Sequence, residues 1–467
     1  MKKMSSIIAI LFLSMAFMSC GSGRDYYEAM KVPEERFYKG EYMDAARMLL
    51  PEVNNSGKDQ LLFMMECGLM LHTAGDYKTS NKVLLPAAKL AQIIPVSLTK
   101  EAASFLTNDR NSNYRGEDFE KVLVHVYLGL NFLLSEEYDS ARVEFMAVNN
   151  ELAKIRSEEG SPRYKQNIMA KYLTAITFEI VSALNNDEKD LEFAYIEYKQ
   201  IYQLNPELDM VKDDLLRVSK ELELDDDYAE WKSKFQKSYN SDENSGELVT
   251  IFQSGRSAVK QSRGSLLKDP QMKSIINVTI NTGNLAAGVT VAAVLITLKN
   301  AENPIPKFVK RSNRSDRVRV TAGGVSGYSV KLEDVEKTAV QNMEDDYGRL
   351  YGRVAASIAT KAVASIAAGI AAKKIAEQSK QLGKFSGLIG TVVGAGTGAA
   401  LFSQMRPDLR CWHTLPANFQ LSRMNLRPGK YKARFIFTGA EGNIEEVEKE
   451  VEIKKGEKTL VNLRTLY

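Results

Sequence analysis

Between residues 25 and about 240, apolar side chains recur at helical spacing in successive paired segments. A short phrase punctuates them: Gly40-Glu41-Tyr42, Gly75-Asp76-Tyr77 and Glu136-Glu137-Tyr138. Each tyrosine opens an expected helix, with a small residue three positions on (Ala45, Ser80, Ala141) and a large apolar one four positions later (Leu49, Leu84, Phe145). Small and then large on one face suits helix packed on helix. The first two phrases are 35 residues apart, near the 34-residue period of tetratricopeptide repeats. A fourth copy, AYIEYKQIYQLNPEL, sets Ala194, Tyr198, Ile201 and Pro206 at the offsets of a repeat's second helix, which Asn205-Pro206 ends. The 61 residues from Tyr77 to Tyr138 are not two clean periods, and TNDRNSNYRGED at 107–118 reads as an inserted loop. The expectation is a degenerate tetratricopeptide-like α-solenoid over residues 25–240.

After the polar linker SYNSDENSGE (238–247) the pattern changes. Runs rich in Val, Ile and Thr at 248–252, 275–280 and 288–298 read as strands. Residues 308–320 are expected to pair with 328–332 through the turn at Gly323-Gly324. From residue 426 to 463, three alternating segments separated by Gly-containing turns predict hairpins with one face buried and one wet. Between the strand blocks, residues 335–404 read as helices full of small residues. The stretch FSGLIGTVVGAGTGAALFSQ carries no charge and repeats glycine every fourth position at Gly390, Gly394 and Gly398. The expected fold class is therefore α followed by α+β. An α+β domain at 241–467, with Gly/Ala-rich helices at 335–404 and a β-sandwich-like hairpin unit at 426–467, follows the solenoid.

The N-terminus adds location. Met1-Lys2-Lys3, an apolar run at 7–18 and Ser19-Cys20-Gly21 describe a signal peptide over 1–19. A cysteine at that point is what a bacterial lipoprotein signal presents, so Cys20 is the expected lipid-attached first residue, with a tether over 20–24. Losing Lys2 and Lys3 leaves 60 basic against 59 acidic side chains, a balance with no global field to draw the chain onto nucleic acid. Only Cys67 and Cys411 remain, in different expected domains, each read as a small buried side chain.

Candidate chemistry is sparse. Glycine at every fourth position gives a helix a bare groove for a second backbone. It suits a hairpin, 354–404, that enters a membrane or self-associates; it equally suits two small-residue helices packed in a soluble domain, which Lys361 in mid-helix favours. The G-x-G-x-x-A match from Gly394 to Ala399 lacks the acidic residue about 20 positions on that a dinucleotide site needs. No H-E-x-x-H, zinc-spaced cysteine pair or G-x-S-x-G elbow occurs. Ser326 reads as a turn serine, Cys411 and His413 as strand neighbours, and His72 and His125 as packing residues. The basic stretch at 307–320 and Asp225-Asp226-Asp227 read as solvated. No catalytic residue, metal ligand or cofactor site emerges.

The lipobox, GELVTIFQSGRSAVK at 246–260, the small-residue helices and RPDLRCWHTLPANFQLSRMNLRPGKY at 406–431 together resemble a family of bacterial envelope lipoproteins with a tetratricopeptide-like N-terminal half. The resemblance spans nearly the whole chain and brings no assigned activity or catalytic residues; it implies an envelope protein of a kind encoded, in some bacteria, near lipoprotein activators of peptidoglycan synthases, a hint about partners only. The functional expectation is a lipid-anchored scaffold, on the outer membrane facing the periplasm, with an envelope protein or peptide held in a solenoid groove lined by Tyr42, Tyr77, Tyr138 and Tyr198. The alternative is a membrane-active component whose 354–404 hairpin inserts or builds a homo-oligomer.

Overall fold

A computed structural model describes residues 25–93, 112–159, 167–239, 244–282, 298, 301–378, 384, 386–403 and 405–467. The signal peptide with Cys20, residues 107–111 of the expected loop and most of the expected 288–298 strand lie outside the described residues.

Among the described residues of the N-terminal half, ten helices form five pairs: α1 (Tyr26–Tyr38) with α2 (Tyr42–Val53), α3 (Gln60–Thr73) with α4 (Tyr77–Ile93), α5 (Asp118–Leu134) with α6 (Tyr138–Glu159), α7 (Ile168–Asn185) with α8 (Glu188–Leu204), and α9 (Asp209–Glu221) with α10 (Asp225–Phe235). This is the tetratricopeptide-like solenoid. The recurring phrase has a backbone cause: Gly40, Gly75 and Glu136 sit at φ +86°, +83° and +62°, the left-handed conformation that lets one helix end and the next begin two residues later. The small–large spacing has one too. Leu84 and Phe145 press from the second helix onto Gly68 and Gly129 of the first, where an added Cβ would meet them at 2.4 Å. Replacing Gly129 with alanine is therefore expected to cost about 1–3 kcal/mol of stability, because the fully buried Phe145 ring has no room to retreat. Urea denaturation of the whole protein checks this, and a loss under about 0.5 kcal/mol would contradict it.

The C-terminal half contains two four-stranded sheets. In the first, β10 (Lys458–Arg464) runs parallel to β1 (Gly246–Ser254), which pairs antiparallel with β7 (Asn418–Leu426) and through it with β6 (Val330–Asp334). The second, antiparallel throughout, is ordered β5 (Val325–Tyr328), β4 (Arg317–Ala322), β8 (Gly429–Gly439), β9 (Gly442–Ile453). Leu248, Phe252 and Met424 of the first sheet meet Val320, Phe435 and Phe437 of the second, so the pair forms a sandwich. The other face of the first sheet, Val249, Ile251, Phe419 and Leu421, joins the core of the solenoid. Three layers result, and the central strand β1 is buried on both faces, as its near-continuous apolar run requires. A short ribbon, β2 (Val259–Gln261) with β3 (Lys307–Val309), lies beside them.

Two strand expectations are corrected. Residues 275–280 belong to α11 (Pro270–Thr282), which starts because Asp269 accepts from the amides of Gln271 and Met272 and Pro270 takes the first helical position. Met272 and Ile276, four apart, then enter one core; the β-branched residues nearby masked that period. The expected partner of 308–320 divides: β5 pairs with β4 across Gly323-Gly324, while β6 crosses to the first sheet. The small-residue helices are α12 (Val335–Glu377) and α13 (Ser386–Ser403), packed on each other.

Candidate interaction surfaces

Strand β10 lies against the solenoid where an outside peptide was expected. Glu457, just before it, is within electrostatic reach of Tyr138 at the third helix pair; Asn462 hydrogen-bonds Tyr77 at the second; Arg464 stands near Tyr42 at the first. Seven residues of strand span about 23 Å, close to two steps between helix pairs at about 10 Å each. Tyr198 lies under strand β7, on the far side of β1 from β10. It is fully buried, donates to Glu179 and accepts from Arg423 Nη1 at 2.8 Å. The four tyrosines thus face strands of their own chain.

Polar contacts seal this internal interface at three places. At the first, His72 Nδ1 meets Asn131 Oδ1 at 2.6 Å, while Nε2 faces the amide nitrogens of Gln253 at 2.8 Å and Asn462 at 3.1 Å. A neutral ring with its proton on Nδ1 satisfies all three, and burial holds the imidazole down at about 4. Tyr127 completes the node through Gln253.

The second is a buried charge network of three acidic and three basic side chains. Arg423 on β7 donates to Asp214 Oδ1 of α9 and Glu247 Oε2 of β1, both at 2.8 Å. Lys458 on β10 reaches Glu179 of α7 at 2.7 Å, and Arg217 bridges Glu179 and Asp214 at 2.8 and 3.0 Å. Burial alone would push these carboxyls up. For Asp214 it does, whereas Arg217, Lys458 and Arg423 hold Glu179 well below the usual carboxylate range, and Arg423 with Lys458 holds Glu247 at about 2.

The third is the strap at residues 406–416. Arg410 Nη1 reaches Asp59 at 2.5 Å and Nη2 reaches Asp408 at 2.6 Å. Glu66 of α3 accepts from the His413 amide at 2.6 Å and from Tyr26 OH at 3.0 Å, and burial raises its carboxyl. Glu120 of α5 accepts from the Trp412 amide at 2.7 Å and from the Glu117 amide at 2.8 Å, with Tyr114 OH donating as well. Burial first, then the Glu117 charge, raise Glu120 to about 7. Beside it, Lys260 pairs with Glu117. Cys411 and Cys67 are buried, as expected, and His413 Nδ1 faces Glu34 at 3.3 Å. Among the described residues no group of three or more His, Cys, Asp or Glu is placed to hold a metal.

Two faces remain open. One is the outer row of the solenoid, where Val143 and Met146 of α6 and Phe193 and Ile196 of α8 are roughly half exposed or more. The other is the α12–α13 hairpin. Gly390 and Gly394 meet Gly369: a Cβ on Gly369 would lie 2.7 Å from the Gly390 oxygen and 3.3 Å from Gly394 Cα. Gly398 continues the same buried stripe. Both helices are long and apolar enough to cross a membrane.

The groove tyrosines and the glycine stripe were visible in sequence. Arg423, Glu66, Glu120 and Glu179 were not singled out, although Glu66 and Glu179 are each the lone carboxylate of a largely apolar helix.

No protein-family model matches the chain, and no curated protein matches it. Among solved structures it is similar to MamA, residues 41 to the end, from Desulfovibrio magneticus RS-1, at 17% identity over 46% of this chain and 94% of that one, with a TM-score of 0.31. It is also similar to nearly identical TPR-like repeats from Podosopora anserina, at 12% identity over 47% of this chain and 100% of that one, with a TM-score of 0.29.

Proposed function

We propose that this protein is a lipid-anchored scaffold of the bacterial cell envelope, tethered through Cys20 to the outer membrane, facing the periplasm and acting through protein contacts without catalysis. The anchor rests on the lipobox. The scaffold role rests on one observation: with its inner face taken by β10, the solenoid still presents large apolar side chains on adjacent outer helices. Val143 is 64% exposed and Met146 53% on α6, and Phe193 is 50% exposed on α8, whose Asp190 is bridged to Arg142 of α6 at 3.0 Å. A cluster of this kind marks a protein contact site. The partner thus belongs on the outer row, and the four tyrosines hold the chain's own sandwich in place.

Two measurements test this. Cys20→Ala is expected to abolish incorporation of a fatty-acid label in cells; a variant that keeps its label sinks the anchor. Photo-crosslinkers at Met146 and Phe193 are expected to trap a discrete second envelope protein, whereas one at Tyr77 reports only contacts within the chain. Outer positions that trap nothing overturn the scaffold. A second reading, a membrane-active component, is supported by the outward surface of residues 354–372 and of α13, which exposes no charged side chain.

A further inference from the structure

Deepening that second reading, we propose that the α12–α13 hairpin crosses a lipid bilayer completely, out and back, with the sandwich on one side and the Lys373–Gln378 end of α12 on the other. The first argument is dimension. Between Arg353 and Lys373 the only charged residue is Lys361, which is 2% exposed, and α13 has no charge at all. Nineteen residues of α12, with Val354 and Ile358 at their start packed on α11, and eighteen of α13 are each about 27–29 Å long at 1.5 Å per residue, against about 30 Å for a bilayer core.

The second argument is what bounds this band. Arg349, Arg353 and Arg406 stand at its root, and Lys373, Lys374 and Lys384 at its tip. Basic side chains at both ends suit two headgroup layers, to which their long stems can reach.

The third argument is the outward surface itself. Val363, Ile370, Leu388 and Val392 are 62%, 47%, 64% and 61% exposed. Two hydroxyls along it are bonded back to their own helices, Thr360 Oγ1 to Ala356 O and Thr391 Oγ1 to Gly387 O, each at 2.9 Å. Ser365 Oγ donates across the hairpin to Gly394 O at 2.6 Å. In hydrocarbon every donor needs such an internal partner, and backbones in contact at Gly369, Gly390 and Gly394 are how helices associate where water does not drive them together. The root, where Tyr351, Val354 and Ile358 pack with Met272 and Ile276 of α11, fixes the hairpin to the body.

The test uses the mature chain with Cys20→Ser, so that no acyl group can hold it, reconstituted into vesicles of phosphatidylethanolamine and phosphatidylglycerol. Two exposed reporters are added together, Gln378→Cys at the tip and Glu441→Cys in the β8–β9 turn; Cys67 and Cys411 are buried. A full span predicts flotation with the vesicles and one membrane-impermeant maleimide per molecule, whichever way it is oriented, rising to two in detergent. Flotation with molecules carrying two labels or none overturns the span while leaving membrane association standing. Failure to float overturns both. Val392→Glu, at an exposed position, should leave the vesicle-free protein's melting unchanged while weakening partition on the order of 100-fold; equal flotation of this variant counts against the span.

Discussion

With Arg423 replaced by methionine, the full-length protein is expected to lose about 3–5 kcal/mol of unfolding free energy at neutral pH. The volume stays close to that of the original side chain, so the loss reports charge and hydrogen bonding. Arg423 is 7% exposed at its side chain and touches Asp214 and Glu247 at 2.8 Å. Removing it leaves Glu179, Asp214 and Glu247 with only Arg217 and Lys458 among this network's cations, at a depth where a bare carboxylate is costly. Exposed pairs behave differently, at about 0–1 kcal/mol; Arg434→Met, which breaks the surface pair with Glu446, should leave stability unchanged. Arg423→Lys should recover only part of the loss, since one ammonium cannot bridge Asp214, Glu247 and the Tyr198 hydroxyl at once. The deficit should shrink in acid, because the abandoned carboxyls can take up protons. Denaturant titration at pH 7 and pH 4 measures both effects. A loss below about 1 kcal/mol would mean that water reaches the network and that it does not cement strands to helices.

The solenoid was legible because its turns are local. A residue in the left-handed region, then an acidic residue, then a tyrosine is a signal carried by three consecutive positions. The final hairpins were legible for the same reason, through period-two alternation between Gly-containing turns. What was illegible depends on which distant segments meet. Arg423 finds Glu179 and Glu247, 244 and 176 positions away, only after β1 and β7 pair in register and the sheet docks on α7 and α9. One clue to that docking was present. Every residue of α3 from Leu61 to His72 is buried, and a helix that is apolar all round is covered all round; an open groove on its inner side was inconsistent with that composition. The lone carboxylates Glu66 and Glu179 point the same way, since a single acid in such a helix needs a partner from elsewhere. The misread strand at 275–280 has the opposite origin, a β-branched run whose four-residue period is set by only Met272 and Ile276.

Glu120→Gln is expected to change how stability responds to pH, and the sign follows from where the proton sits. In the folded chain the carboxyl titrates at about 7, above its ordinary 4.5. Between these values the unfolded chain has released the proton and the folded chain retains it, so this group makes stability fall as pH rises, by about 3 kcal/mol in all, and the loss is complete above pH 7. His72 works against it. Its folded value of about 4 lies below the ordinary 6.5, so its contribution is lost as pH falls through that window and is fully present above it. In the parent protein the two slopes largely cancel between about pH 4.5 and 6.5. The glutamine variant keeps only the histidine slope from this pair, while Glu66, also raised by burial, acts equally in both proteins. The stability difference, variant minus parent, should therefore climb by about 3 kcal/mol from pH 4.5 to 7.5. A fixed offset from turning a glutamine amide toward the Glu117 amide and Tyr114 hydroxyl leaves that climb untouched. Unfolding free energies measured at half-unit pH steps decide it. Parallel curves would mean that Glu120 titrates as a solvated acid, and that the Trp412 strap does not close over α5.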